Sequence, residues 1–590
     1  MAVILMLVSG LVVYIVGGRY YSIWISRVLG EDKKRITPAV AVNDGVDFVP
    51  TKTPIVFAHH FASIAGAGPI IGPMIALIYG WAPVWLWVLF GGLLFGAVHD
   101  YTSLYIGMRE GGHSIATVAR RTLGDVGFTL MICFTILMLI LVTAMFLNVS
   151  CVALTSFVPK GVLELPEGQT LFKEVMQDGV QMVRVGGIAS SSVIIITLMA
   201  PFVGWLYIKR KVSPLICSII ALFICTISVI VGLDYPVTLS SEQWRYALAF
   251  YTLLAAGIPV WIFLQSRDFI NVHLLYIGLL FMIVTVLGVI FKGNIVIDFP
   301  AMNIAQGQQV QGFIWPTLFV IVACGAISGF HSLVSTGTTC KQIEAEPCAR
   351  YIGFFGMLLE SLLAILVICI IVIGLGWKDF LTYQYPMLEG LKTTPNPNLT
   401  FSLAFGLAGK AGLGVAVAIG TVFGLLLLEG FVVTTLDTAV RLNRYLFEEL
   451  WGVLFKNVPA FLKHYWVNSA IAVILMVYVS KSGGILVIWG IFAAANQLLA
   501  ALTLITVSSW LIQKHKQYKF TMIPAIFMLV TTIVMLVMVL VKTYIPTSNH
   551  LLTVIDLILI ILSAGVVWLS IKAMIHDLRK PGIQTGKAAS

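Results

Sequence analysis

Charge is what this 590-residue chain has least of. Asp, Glu, Lys and Arg make up 11% of it, against roughly 25% in a soluble domain. Hydrophobic residues make up 59%, and the mean hydropathy is +0.99. So few charges cannot cover a water-soluble fold of this length. A soluble enzyme, a disordered chain and a nucleic-acid-binding domain are therefore excluded. Cysteine is also scarce. There are eight, without ligand spacing and mostly within apolar runs, which reads as small buried hydrophobes rather than disulfides or a metal centre. A GxxxxGK[ST] nucleotide loop is missing, as is any polar stretch long enough for a soluble catalytic domain. Both absences argue against an ATP-driven pump and against an enzyme. The first apolar run, 2–17, has neither a basic n-region nor a cleavage site, so it reads as a membrane helix and not a signal peptide.

What the chain has is long apolar runs. About fifteen are long enough to cross roughly 30 Å of hydrocarbon. They lie at 2–18, 54–78, 83–106, 127–158, 188–208, 213–233, 246–264, 272–291, 313–338, 351–376, 412–437, 467–480, 485–512, 520–541 and 551–571. With the amino terminus outside and the carboxyl terminus cytoplasmic, 26 of the 36 Lys and Arg fall on the cytoplasmic side. That excess is the usual orientation signal, so the net charge of +10 marks topology, not nucleic acid. On this count no Lys or Arg lies within a span, and Arg267 falls in a cytoplasmic loop, 265–271. The stretches 159–187 and 377–411 read as outer surface loops, and 438–466 as an amphipathic helix at the inner interface.

Two apolar segments are unsuited to continuous helices. Gly66, Gly68, Pro69, Gly72 and Pro73 crowd into the first, 57–73. Proline removes an amide and glycine weakens a helix. The second, 325–339, is interrupted by Gly329, Gly337 and the hydroxyls of Ser335, Thr336 and Thr338. Each has a histidine, His60 or His331, six positions before a glycine. The segments lie seven spans apart and so run in opposite senses. Such a pair points to an inverted-repeat transporter with a midplane site, where freed amides hold an anion or a coupling ion. The expected fold is all-α and polytopic. A first helix and loop (1–53) precede a first repeat (54–312), an inverted second repeat (313–512) and peripheral helices with a tail (513–590). Breaks are expected at Gly66–Pro69 and Ser335–Thr339. The repeats are either five spans with two inserted helices or seven and seven.

Ionisable groups within spans are functional candidates by default. The carboxylates are Asp100, Glu360, Glu429, Asp437 and Asp556, and the histidines His59, His60, His99 and His331. Asp100 with His99 reads as a pair holding a helix end. Asp437 stands four residues before Arg441, which is expected to hold it ionised. Glu429 has no basic neighbour in its span and is the better proton carrier. His60, His331, Asp437 and Asp100 are the other candidates for proton coupling. Substrate-binding candidates are His59, His60, Ser63, Gly66, Gly68, His331, Ser335, Thr336, Thr338, Asn496 and Gln497. His59, His60 and His331 lack a recognised ligand spacing, and no metal or other cofactor is expected.

The long blocks HHFASIAGAGPIIGP (59–73), FGAVHDYTSLYIGMREGGHSIATVARRTLG (95–124), PVWIFLQSRDFIN (259–271), SGFHSLVSTGTTCKQI (328–343), TTLDTAVRLNRYLFEEL (434–450) and ANQLLAALTL (495–504) carry a family resemblance. The chain resembles the carbon starvation protein A (CstA) family of bacterial inner-membrane transporters. The resemblance implies uptake of short peptides or pyruvate by proton symport. It also implies a fold of the amino acid–polyamine–organocation superfamily type, an inverted repeat with two broken helices. The expected partners are a small substrate, a proton and the lipid bilayer. Nucleic acid is not expected, and the sequence leaves the oligomeric state open. A sodium-coupled carboxylate or amino-acid symporter and a channel are the competing readings.

Overall fold

Lipid offers no partner to a backbone N–H or C=O, so long apolar runs close their hydrogen bonds internally as helices. A computed structural model describes residues 2–45, 48–177, 179–258, 262–293, 297–390 and 395–578. Lys392, counted to the outer side, and the end of the carboxyl-terminal tail (579–590) lie outside the described residues. In chain order the main helices are α1 (Ala2–Leu29), the pair α2 (Thr53–Ile64) and α3 (Gly68–Tyr79), α4 (Trp81–Arg109), α5 (Ile115–Leu154), α6 (Val185–Tyr207), α7 (Pro214–Asp234), α8 (Ser241–Gly257) and α9 (Leu264–Lys292). There follow the pair α10 (Ile314–Ile321) and α11 (Phe330–Gly337), then α12 (Arg350–Gly374), α13 (Pro397–Leu413), α14 (Val417–Leu454), α15 (Tyr465–Ser480), α16 (Ile485–Gln513), α17 (Lys519–Tyr544) and α18 (His550–Leu578).

Among the described residues, 11 helices are long and apolar enough to cross a membrane, or 12 with the bent pair α2–α3. The remaining three expected spans fall on short or interrupted elements: α8, with 17 residues, α15, with 16, and the broken pair α10–α11. The two longest helices, α5 and α14, pack against each other at the centre. Against α5 lie α15 and α16; against α14 lie α8 and α9; and α8 touches α15. The hairpin α6–α7 rests on α9 and α14, while α17 and α18 flank α16. Burial follows this layout. The apolar window of α14 is 89% buried and that of α7 only 33%, which leaves Leu215, Ile219 and Phe223 exposed where lipid is the solvent.

Several sequence expectations change. The expected outer loop 377–411 contains most of α13, which packs on α14, α12 and α9. Its glycines allow this: a Cβ on Gly406 would lie 2.5 Å from the Val417 carbonyl, and one on Gly412 would lie 2.4 Å from that of Thr285. Small residues that let backbones approach lower the apparent hydropathy of a helix. The expected interfacial helix 438–466 is, up to Leu454, a continuation of α14, buried through Leu446 and Phe447. The expected span at 127–158 is preceded by a short helical stretch, 115–123, set off from it by a kink at Gly124, where φ is 80°. The stretch 159–187 includes a small antiparallel sheet of β1 (Val158–Pro159), β2 (Glu174–Gln177) and β3 (Val180–Val183), in the order β1-β3-β2.

Candidate functional site

The helix that opens at Thr53 stops at Ile64 and resumes at Gly68, bent by 43°. At the break, Ala65 has a ψ of 69°, and Gly66 N–H turns back to the Ile64 carbonyl at 2.8 Å. Pro69 has no N–H to offer, and among the described residues the amides of Ala67 and Gly68 meet no acceptor. The second break lies earlier than the sequence suggested. It occupies 322–329, between α10 and α11, and Ser335 and Thr336 sit in a regular helix that runs to Gly337. Ser328 and Gly329 therefore mark this break, and Ser335–Thr339 does not.

The two broken segments run antiparallel along their whole length. His60 Nδ1 meets Thr339 Oγ1 at 2.9 Å, and Tyr79 donates to the Gly312 carbonyl at 2.7 Å. Between these contacts, a Cβ on Gly68 would lie 2.5 Å from the Cys324 side chain, and one on Gly72 would lie 2.4 Å from the Val322 carbonyl. Glycine at 68 and 72 is what lets the breaks touch. The packing also dissolves the matched-histidine alignment. His60 stands before its break and His331 after its own, so they are not repeat equivalents.

The buried polar residues form two networks. In the first, Asp100 on α4 takes His99 Nδ1 on Oδ1 and His331 Nδ1 on Oδ2, both at 2.7 Å. His331 Nε2 faces Glu360 Oε2 of α12 at 3.3 Å. All four side chains are fully buried. Asp100 thus ties α4 to the second break and does not merely anchor a helix end. Cys324 Sγ lies close by, within 4.8 Å of ligand atoms of both His331 and Glu360.

The second network joins α2, α8, α9 and α14. Arg267 and Asp268, expected in a cytoplasmic loop, lie in the first turns of α9 and are buried. Arg267 reaches Asp437 at 3.2 Å and Tyr251 at 2.9 Å, and Tyr251 donates to Asp437 at 2.7 Å. Asp437 is therefore paired across helices and not with Arg441, which donates instead to the carbonyls of Ala255 and Ile258 at the end of α8. His59 Nδ1 lies 3.6 Å from Asp268. Asn271 donates to Thr434 at 2.8 Å beside a cavity of about 10 Å³ lined by Ala62, Asn271, Gly430 and Thr434, about the room one water needs. Thr435, on the same helix, presses on Gly66, where an added Cβ would lie 2.9 Å from its hydroxyl. Glu429 is fully buried, and neither of its oxygens has a hydrogen-bond partner among the described residues.

The other sequence candidates are mostly engaged. Ser63 donates to the His59 carbonyl, Thr338 to that of Val334 and Thr336 to that of Ser332, while Thr336 also accepts Ile115 N–H. Ser335 Oγ is buried without a partner. Asn496 closes the second break: its side chain accepts Phe330 N–H at 2.9 Å and its carbonyl accepts Gly329 N–H at 3.0 Å. Gln497 donates to the Phe319 carbonyl. His59, His60 and His331 each have a different partner and do not form one cluster. Glu360 was visible in the sequence as a lone carboxylate, but its link to His331 is long-range. Arg267 and Asp268 sit at a seam between apolar runs, where a charged pair reads as a loop.

The profile of the family described as carbon starvation protein CstA matches residues 1–389 and 382–535. A curated relative from Campylobacter jejuni, "Peptide transporter CstA", is 30% identical over 90% of this chain and 79% of its own length. "Pyruvate/proton symporter BtsT" of Escherichia coli is 29% identical over 89% of this chain and 80% of its own. A solved structure, MhsT in complex with L-phenylalanine, has a TM-score of 0.44 at 12% identity, covering 87% of this chain and 99% of that one.

Proposed function

The chain belongs to the carbon starvation protein CstA family, a family of multi-pass membrane transporters and not enzymes, and we propose that it imports short peptides or pyruvate by proton symport across the bacterial inner membrane. The observation that carries this reading is the antiparallel meeting of two broken helices within a buried bundle. In lipid, an open backbone is tolerated where it lines a cavity or a site. The free amides of Ala67 and Gly68 suit a substrate carboxylate. The amides of Gly329 and Phe330 do not, because Asn496 already takes them. The site therefore centres on the first break, with Gly66, Gly68, Ser63 and His60 on one side and Ser335 and His331 on the other.

The packing supports an inverted repeat of five helices each, with α6–α7 inserted in the first and α13 in the second. The first repeat is α2–α3, α4, α5, α8 and α9; the second is α10–α11, α12, α14, α15 and α16. The contacts correspond: α16 on α5 matches α9 on α14, and α15 on α5 matches α8 on α14. Rocking of the broken helices against the α5–α14 centre provides alternating access. The amino terminus is outside and the carboxyl terminus cytoplasmic.

Glu429 carries the coupling proton. A lone carboxyl inside the bundle, with no basic partner among the described residues, is the kind of group an intramembrane proton relay uses. It lies six residues from Thr435, the residue that touches the first break. That is about 9 Å along the helix at a rise of 1.5 Å per residue. The paired Asp437 is a gating residue. The test is uptake of labelled pyruvate, dipeptides and tripeptides into proteoliposomes with an imposed inward proton gradient. Accumulation that collapses with a protonophore and is unchanged when choline replaces sodium supports the reading. Accumulation that follows sodium instead overturns the proton assignment.

A further inference from the structure

We propose that Cys324, His331 and Glu360 form a buried binding site for one divalent transition-metal ion of the zinc class. Nothing in the transport reading requires it.

The three ligand atoms, Cys324 Sγ, His331 Nε2 and a Glu360 oxygen, lie within 4.8 Å of one another, and all three residues are buried. Bond lengths of 2.0–2.3 Å in a tetrahedral zinc site place ligand atoms roughly 3.3–3.8 Å apart. His331 Nε2 and Glu360 Oε2, at 3.3 Å, already stand at that spacing. Sγ needs to move by about 1 Å to reach the same spacing. It is held only by long contacts, to Ser328 at 3.4 Å and from Asn496 at 3.5 Å.

Two further observations point to a cation. Nε2 of His331 and both oxygens of Glu360 are buried without a hydrogen-bond partner among the described residues. In a dry interior such groups are satisfied by a ligand or are strongly unfavourable. The other nitrogen, Nδ1, is bonded at 2.7 Å to Asp100, which is itself bonded to His99. A carboxylate on the far nitrogen fixes the tautomer so that Nε2 presents its lone pair, the arrangement that orients metal-bound histidines. Two buried carboxylates, Asp100 and Glu360, share this cluster, and among the described residues neither is paired with Lys or Arg. A dication balances the Cys324 thiolate and the Glu360 carboxylate, with the protons of the thiol and of the carboxyl released on binding. A thiolate, an imidazole and a carboxylate select Zn²⁺, Co²⁺ or Fe²⁺ over Mg²⁺ or Ca²⁺. The ion would pin the second break to α12.

The experiment uses the full-length protein in detergent and needs no transport. After loading with Zn²⁺ and removal of excess metal, elemental analysis should give one equivalent per chain. Cys324→Ser and Glu360→Gln should each reduce it at least fivefold. Loading with Co²⁺ should produce a thiolate-to-cobalt charge-transfer band that Cys324→Ser lacks. Cys340→Ser, which alters a buried thiol outside the cluster, should keep both signals. Less than a fifth of an equivalent in the wild-type protein overturns the site. So does unchanged stoichiometry in Cys324→Ser and Glu360→Gln, or a cobalt spectrum without the thiolate band. If the variants unfold, the cobalt spectrum of the wild-type protein alone decides whether sulfur ligates.

Discussion

Replacing Gly72 with alanine tests the contact between the breaks through a single methyl group. The added Cβ would lie 2.4 Å from the Val322 carbonyl oxygen, 2.8 Å from that of Ile321 and 2.8 Å from the Val322 carbonyl carbon. Favourable heavy-atom contacts begin near 3.5 Å, so the two segments must separate by roughly 1 Å. All three obstacles are backbone and cannot rotate away. Inserting a methylene into a packed core destabilises by about 1–3 kcal/mol, and rigid neighbours put this site at the upper end. Gly452, late in α14, is the control, because a Cβ there meets nothing within 4 Å. Its replacement should stabilise by about 0.5–1 kcal/mol through helix propensity. The assay is thermal unfolding of the purified protein in detergent, with uptake measured in parallel. Gly72→Ala should lower the midpoint and the uptake rate, and Gly452→Ala should lower neither. An unchanged midpoint with normal uptake in Gly72→Ala would refute the antiparallel contact.

Four further outcomes are expected. Glu429→Gln should lose gradient-driven accumulation while keeping substrate exchange; persistent accumulation removes Glu429 from the coupling. Asn496→Ala leaves the Phe330 amide without an acceptor, at a cost of about 1–3 kcal/mol, and unfolding should register this while substrate affinity stays unchanged. Arg267→Met leaves Asp437 with Tyr251 alone, a loss of about 3–5 kcal/mol that Arg267→Met with Asp437→Leu should largely recover. In the small sheet β1–β3, Gln169 and then Lys160 hold Glu174 below the usual carboxylate range. Its contribution is therefore present above the ordinary glutamate pKa and is lost as pH falls through the lowered value. Protection of the strand amides at 174–177 and 180–183, corrected for the intrinsic exchange rate, should fall only in acid.

The sequence carried the apolar helices and both interruptions, because proline and glycine clusters within an apolar run are local signals. It placed the first break correctly beside Gly66 and Gly68. It placed the second too late, because Asn496, whose backbone carbonyl takes the Gly329 amide and whose side chain takes that of Phe330, comes from a helix more than 150 residues away. Hydropathy missed α13, whose small residues serve packing. Charge counting put Arg267 in water, since the Asp437 that neutralises it lies in another span. Asp100, His331 and Glu360 were each visible, but their convergence depends on which helices touch, and no local pattern encodes that.

The most direct test of the central claim is hydrogen exchange at the two breaks with and without transported substrate. The account predicts slower exchange at residues 67 and 68, whose amides are open, and no change at 329–330, where Asn496 already holds them. Protection confined to other helices, in protein that still transports, would contradict it.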